Sequence, residues 1–179
     1  MLYMLAFEKL GLLISDLYFL DPFPDPGQGE GPERGIRLEL RLMEVGEVDG
    51  TIYASHPITA GRPLWRGDLL ETADGPYGSF DRTHHHVAMD GWEPDKRVFD
   101  TELSADPIGF LAAGFADLPR LLGQAKLAPG DLGPNDERLL REAVPEIVEI
   151  LERMLKRIYA GELALAPSGE YEGARESWL

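Results

Sequence analysis

Residues 36–43 read IRLELRLM, and apolar and charged side chains alternate along them. Ile36, Leu38, Leu40 and Leu42 fall on one face of an extended chain, while Arg37, Glu39 and Arg41 fall on the other. A period of two predicts a strand in a sheet with one side packed and one side wet, as antiparallel sheets commonly are. On this reading GEVDG at 46–50 is a hairpin turn and TIYAS at 51–55 is the returning strand. Upstream, LLISDLYFL at 12–20 is a strand candidate after an irregular start, although a short helix fits its apolar run almost as well. Between them, DPFPDPGQGEGPERG at 21–35 reads as a loop, because Pro removes donors and Gly favours turns. Its GxGxG lacks a following helix and a GK[ST], so no nucleotide site is read there.

Downstream, 63–73 and 82–89 form a further strand pair joined by ADGPYGSFD. WEPDK at 92–96 is another turn, with Trp92 anchoring it in the core, and RVF at 97–99 a short strand. After residue 103 the period changes. Asp106 followed by Pro107 is a helix start, a carboxylate at the N-cap and proline at the first helical position. Ile108, Leu111, Phe115, Leu118 and Leu122 then recur at spacings of three and four, with Pro119 a break or kink. Asn135, Asp136 and Glu137 open a second helix with capping and dipole chemistry. Its stripe is Leu140, Val144, Ile147, Leu151, Met154 and Ile158, with a kink at Pro145 and an end at Gly161. Strands first and helices second define an α+β domain: residues 1–165, with its antiparallel sheet at about 12–103, helices at about 106–161 packing on it, and a flexible polar tail at 166–179.

Composition bounds the function. The chain has 179 residues, 44% hydrophobic and 27% charged, enough for a core of its own. It has no cysteine, which excludes disulfides, thiolate metal sites and cysteine nucleophiles. Its net charge is −15. Residues 1–90 hold 7 basic and 15 acidic side chains and residues 91–179 hold 10 and 17, so neither half is a basic arm. Non-specific nucleic-acid binding, which rests on clustered Lys and Arg, is not expected. Glu8, Lys9 and Asp16 interrupt the Leu-rich start, which reads as neither a membrane span nor a secretory signal, and a cytoplasmic location is expected.

Three consecutive histidines, His84, His85 and His86, lie within DRTHHHVAMD. On a strand, Arg82, His84 and His86 share one face, and Thr83, His85, Val87 and Met89 share the core face. Histidines at i and i+2 lie roughly 7 Å apart and can converge on one small ligand. Imidazole titrates near neutral pH, which suits acid–base work, and an arginine beside it suits developing negative charge. The candidate catalytic set is therefore His84, His86, Arg82 and Glu71. A symmetric hairpin puts Glu71 across from His84 to orient it, whereas a one-residue slip puts Asp68 or Leu70 there. A metal site would need a third ligand such as His56, Glu71 or Asp81. A structural role for the triplet on a solvated strand stands beside both readings.

The run DRTHHHVAMDGWEPDKRVFDTELSADPIGFL resembles a group of actinobacterial proteins that share a His-triplet, GWEP, a Phe-containing strand and ELSADP opening a helix. That resemblance covers approximately residues 12–122 and brings no activity with it. More distantly, the order of sheet, His-rich strand and helix is similar to TumE-like toxins of toxin–antitoxin pairs, which implies a small α+β protein and carries over Asp81 and His84–His86. The leading expectation is a histidine-centred polar pocket with toxin-like or hydrolytic action on a phosphate-containing substrate. The alternative is a non-catalytic interaction module, binding a protein partner or a second copy through an acidic surface and the apolar C-terminal helix.

Overall fold

The alternating stretch lies at the centre of the sheet. The computed structural model describes residues 1–20, 31–46 and 57–167. Five strands, β1 (Leu2–Ala6), β2 (Leu10–Phe19), β3 (Glu33–Val45), β4 (Ile58–Thr72) and β5 (His84–His86), form an antiparallel meander in the order β1-β2-β3-β4-β5. A two-residue ladder, β6 (Met89–Asp90) with β7 (Glu93–Pro94), follows. Helices α1 (Thr101–Ala105), α2 (Pro107–Ala116), α3 (Leu118–Leu121) and α4 (Asp136–Tyr159) complete the described chain. The fold is α+β. No helix among the described residues is long and apolar enough to cross a membrane.

One face of the sheet makes the core. Ile36, Leu38 and Leu40 of β3 are fully buried together with Leu10, Leu12 and Ile14 of β2 and Trp65 and Leu69 of β4. The register explains this, since Ile14 faces Leu38, Leu40 faces Trp65 and Ile36 faces Leu69. Two glycines make room here, Gly67 for the Trp65 indole lying over its own strand and Gly35 for the close approach of β3 to β4. A Cβ at Gly67 would lie 2.4 Å from the indole of Trp65, and one at Gly35 would lie 1.9 Å from the Leu69 carbonyl oxygen. The helices cover this face, with Leu111 and Phe115 of α2, Leu118 of α3 and Leu140, Ile147, Leu151, Met154 and Ile158 of α4 in the same cluster. The apolar stripe of α4 is thus spent on the core.

The opposite face departs from expectation. It is not a wet side: Glu39 and Asp68 are buried there. Pairing makes this tolerable, because an opposite charge and its hydrogen bonds offset much of the desolvation cost that an unpaired buried charge would carry in full. Arg37 holds Asp68 at 2.7 Å, and Glu39 is bridged by Arg41 and Arg66, each with its Nε at 2.8 Å. The chain from Met89 to Phe99 also touches this face, where the Asp95 carbonyl meets His86, Phe99 meets His84, and Trp92 meets Arg41. Trp92 itself is 60% exposed, so it is a surface residue under a guanidinium and not a core anchor.

Element boundaries differ in instructive places. The irregular start is a strand, β1, paired residue for residue with β2. The strand returning from β3 runs over Ile58–Thr72, and the expected turn and strand at 47–55 lie outside the described residues. Asp100 caps a short unforeseen helix, α1, by accepting from the Glu102 and Leu103 amides. Asp106 caps α2 as expected, whereas Pro119 sits in the first turn of α3, where it costs no hydrogen bond. Helix α4 runs continuously past Pro145. Asn135 makes no side-chain cap. Instead the Glu8 carboxylate accepts from the Asn135 amide, and fully buried Asp136 accepts from the amides of Glu8, Lys9, Leu10 and Gly133.

Candidate metal centre

Strand β5 is short, and its register decides which chemistry meets. Asp68 pairs with His84, Gly67 with His85 and Arg66 with His86. Directly opposed residues share a face, so His84 and His86 join Asp68 and Arg66 on the charged side. His85 points into the core, edge-on to Trp65 at 6.1 Å and Phe110 at 5.7 Å between ring centroids. Burial lowers the pKa of His85, which is therefore a neutral core histidine.

The rings of His84 and His86 lie edge to face, 5.2 Å apart. Each is oriented by the main chain: His84 Nδ1 donates to the Arg82 carbonyl at 2.8 Å, and His86 Nδ1 donates to the Asp95 carbonyl. A carbonyl only accepts, so both protons of the neutral rings belong on Nδ1. The two Nε2 atoms then carry lone pairs, and both face the same carboxylate oxygen. His84 Nε2 is 3.4 Å and His86 Nε2 3.8 Å from Asp68 Oδ2. The ligating atoms of the three residues all lie within 4.8 Å of one another.

With both rings neutral, the cluster sets acceptor against acceptor in a buried place. Asp68 is 1%, His84 2% and His86 6% exposed, so water does not screen the conflict. Burial works to raise the Asp68 pKa, but a proton donated from His84 Nε2, when that ring is charged, and the Arg37 guanidinium outweigh it and hold the carboxyl well below the usual range. Burial pushes the His86 pKa down, against smaller opposing contributions from the Asp95 carbonyl and Asp68. At neutral pH Asp68 is therefore an anion facing an uncharged His86.

A small cation between the three atoms would resolve that conflict. Zinc bonds of ~2.0–2.1 Å at tetrahedral angles separate neighbouring ligand atoms by about 3.3 Å, which the His84–Asp68 spacing of 3.4 Å matches and the His86–Asp68 spacing of 3.8 Å exceeds. Main-chain acceptors on Nδ1 are the usual outer support of a histidine that ligates through Nε2. Arg37 donates its Nε to Asp68 Oδ1 at 2.7 Å and its Nη2 to Oδ2 at 3.2 Å, so the oxygen that faces the histidines also accepts from the guanidinium.

Of the expected site residues, the structure brings together His84 and His86 only. Arg82 lies before β5, its Nε 3.3 Å from Thr72 Oγ1 and 3.7 Å from Asp81. Glu71 lies on the other side of the sheet, where it accepts from Arg34 Nε at 2.9 Å and the Gly78 amide at 2.6 Å. Asp81 caps the β4–β5 turn, and His56 lies outside the described residues. The slipped register had named Asp68. Arg37 and the Asp95 carbonyl were not foreseen, although Arg66 and Asp68, alternating with Trp65, Gly67 and Leu69, mark the charged face of β4. An open recess of about 350 Å³ lies beyond Phe99, lined also by Asp100, Thr101, Ser104 and Ala105.

The fold and cluster define an α+β protein with a buried pair of histidines and one carboxylate on the charged face of its sheet. No family model, curated protein or solved structure matches the chain.

Proposed function

We propose that this chain is a metalloprotein that holds one divalent transition-metal ion between Asp68 Oδ2, His84 Nε2 and His86 Nε2. A single observation carries the reading: both Nδ1 atoms are committed as donors to main-chain carbonyls, which leaves two Nε2 lone pairs aimed at a buried carboxylate. Imidazole with carboxylate suits zinc, iron or nickel, and the absence of cysteine makes a soft, thiolate-selected ion a poor fit. Three protein ligands leave a coordination position for water, whose pKa a bound zinc lowers towards neutrality. Hydrolysis of a phosphate-containing substrate is a reaction class that such a centre can serve, and Arg37 and Arg66, paired to Asp68 and Glu39, lie on the same face.

Titration of the metal-stripped protein with Zn²⁺, followed by calorimetry and elemental analysis, tests the proposal. One ion per chain is expected, with affinity lowered about a hundredfold or more in His84→Ala, His86→Ala and Asp68→Asn. NMR of the metal-free protein supplies the contrary outcome. Both Nε2 atoms found protonated at neutral pH, with no ion taken up, would make the cluster an imidazolium–carboxylate ion pair. Assay of the loaded protein on a chromogenic phosphodiester then separates a catalytic ion, whose activity disappears in Asp68→Asn, from one that only pins β5 to β4.

A further inference from the structure

We infer that strand β1 is an interface for a second copy of this chain, joined edge to edge by antiparallel pairing about Met4. The argument starts with hydrogen-bond parity. The Met1 carbonyl accepts from the Asp16 amide at 3.3 Å, and the Phe7 amide donates to the Leu10 carbonyl at 2.9 Å. Both pairs belong to the unbroken β1–β2 register, in which Tyr3 faces Ile14 and Leu5 faces Leu12. Bonded and non-bonded pairs alternate in an antiparallel ladder. Residues 1, 3, 5 and 7 therefore turn their main-chain groups towards β2, and Leu2, Met4 and Ala6 turn theirs away from it. β1 is the last strand in the sheet order, so among the described residues no strand meets those groups.

Edges left open in this way are normally blunted by charge, proline or a bulge. Leu2–Ala6 has none of the three: its sequence is LYMLA and its register is regular. Its side chains are also dressed for contact, with Leu2 65% and Met4 52% exposed. The other end of the sheet is different, for β5 is three residues long and His85 is bridged there by Val98.

A second copy fits this edge with no change of register. A two-fold axis at Met4 sets Met4 against its own counterpart and Leu2 against the copy's Ala6. Every one of the three outward-turned residues then meets another outward-turned residue, which is the self-complementarity a two-fold interface requires. Two copies at −15 each repel, so contact is favoured where the surface is locally uncharged or basic. β1 carries no charged side chain, and α4 places Arg153 5.4 Å from the Tyr3 ring and Arg157 against the Met1 sulfur.

Sedimentation velocity across a concentration series, with amide exchange at each concentration, provides the test. The expected result is a reversible dimer in which the Leu2, Met4 and Ala6 amides gain protection as concentration rises. Met4→Lys adds the missing edge charge, and Met4→Pro deletes an outward donor while leaving the β2 ladder intact, since proline is tolerated on edges with its missing amide outward. Each should weaken dimerisation about tenfold or more with little change in melting temperature. A chain monomeric at every attainable concentration overturns the inference, as does a dimer indifferent to both variants. Protection of the same three amides in a monomer, independent of concentration, also overturns it, because a strand of the same chain would then occupy the edge.

Discussion

The Asp81 carboxylate accepts from the Thr72 amide at 3.0 Å, the Thr72 hydroxyl at 2.6 Å and the Ser79 hydroxyl at 2.7 Å. Burial works against its ionisation, but these donors outweigh it and lower its pKa to about 2. A carboxyl depressed in the folded state stabilises the fold above its unfolded pKa, and that contribution is lost as pH falls through the folded value. The β4–β5 turn should accordingly loosen between about pH 4 and pH 2. In Asp81→Asn, stability at pH 7 should drop and the part of the acid limb due to this group should vanish. Denaturant midpoints measured at several pH values would show it, and an unchanged acid limb would discard the assignment. In the sequence Asp81 is one of three possible third ligands, beside His56 and Glu71. Its actual partners lie nine residues back and two residues back, set by a turn whose shape no local pattern announces. Asp68 was harder still, because its distance from His84 in space depends on an eleven-residue connection that is not symmetric about its midpoint.

Elements were legible where a period was long and failed where it was short. The alternation of β3 and the three-and-four spacing of α4 each span many residues, and both elements are present, α4 continuous through Pro145, where the sequence predicts a kink. β1 has five residues, all apolar, so it shows no period to read. What orients α4 was also hidden, because its first turn is tied to residues more than a hundred positions away. Asp136 accepts from the amides of Glu8, Lys9 and Leu10 in the β1–β2 turn, and its second oxygen takes the Gly133 amide at 2.6 Å. A carboxylate in that position joins the helix to the sheet, and removing it strands the buried Leu10 donor and three partly buried ones. Asp136→Ala should cost about 2–4 kcal/mol, since hydrogen bonds to a charged group contribute more than neutral ones and unmet donors add a penalty. Glu8→Ala, which removes only the exposed cap on Asn135, should cost clearly less. Equal losses in chemical denaturation would show that Asp136 does not carry the junction.

At the scale of the molecule, the sheet has two buried layers of opposite character. The helical side is apolar, and its stability follows area removed from water. The other side is held by charge, and there one missing or added charge changes the balance of the whole layer. Composition conveyed none of this, for Arg37, Glu39 and Arg41 read the same way whether they meet water or one another. The consequence is a testable coupling between ligand and fold. A divalent ion at Asp68, His84 and His86 binds a geometry that only the paired β4 and β5 create. An ion that binds only the folded chain adds about 2.7 kcal/mol of stability at a hundredfold excess over its dissociation constant. For a chain of this length that corresponds to a rise of roughly 5–10 °C in melting temperature. Scanning calorimetry with and without Zn²⁺ should show the rise in the parent protein, reverse it with chelator, and show none in Asp68→Asn or in the His84→Ala/His86→Ala double variant. The same rise in those variants would place the ion elsewhere. No rise in the parent at saturating zinc would leave the charged layer standing on its arginine–carboxylate pairs alone.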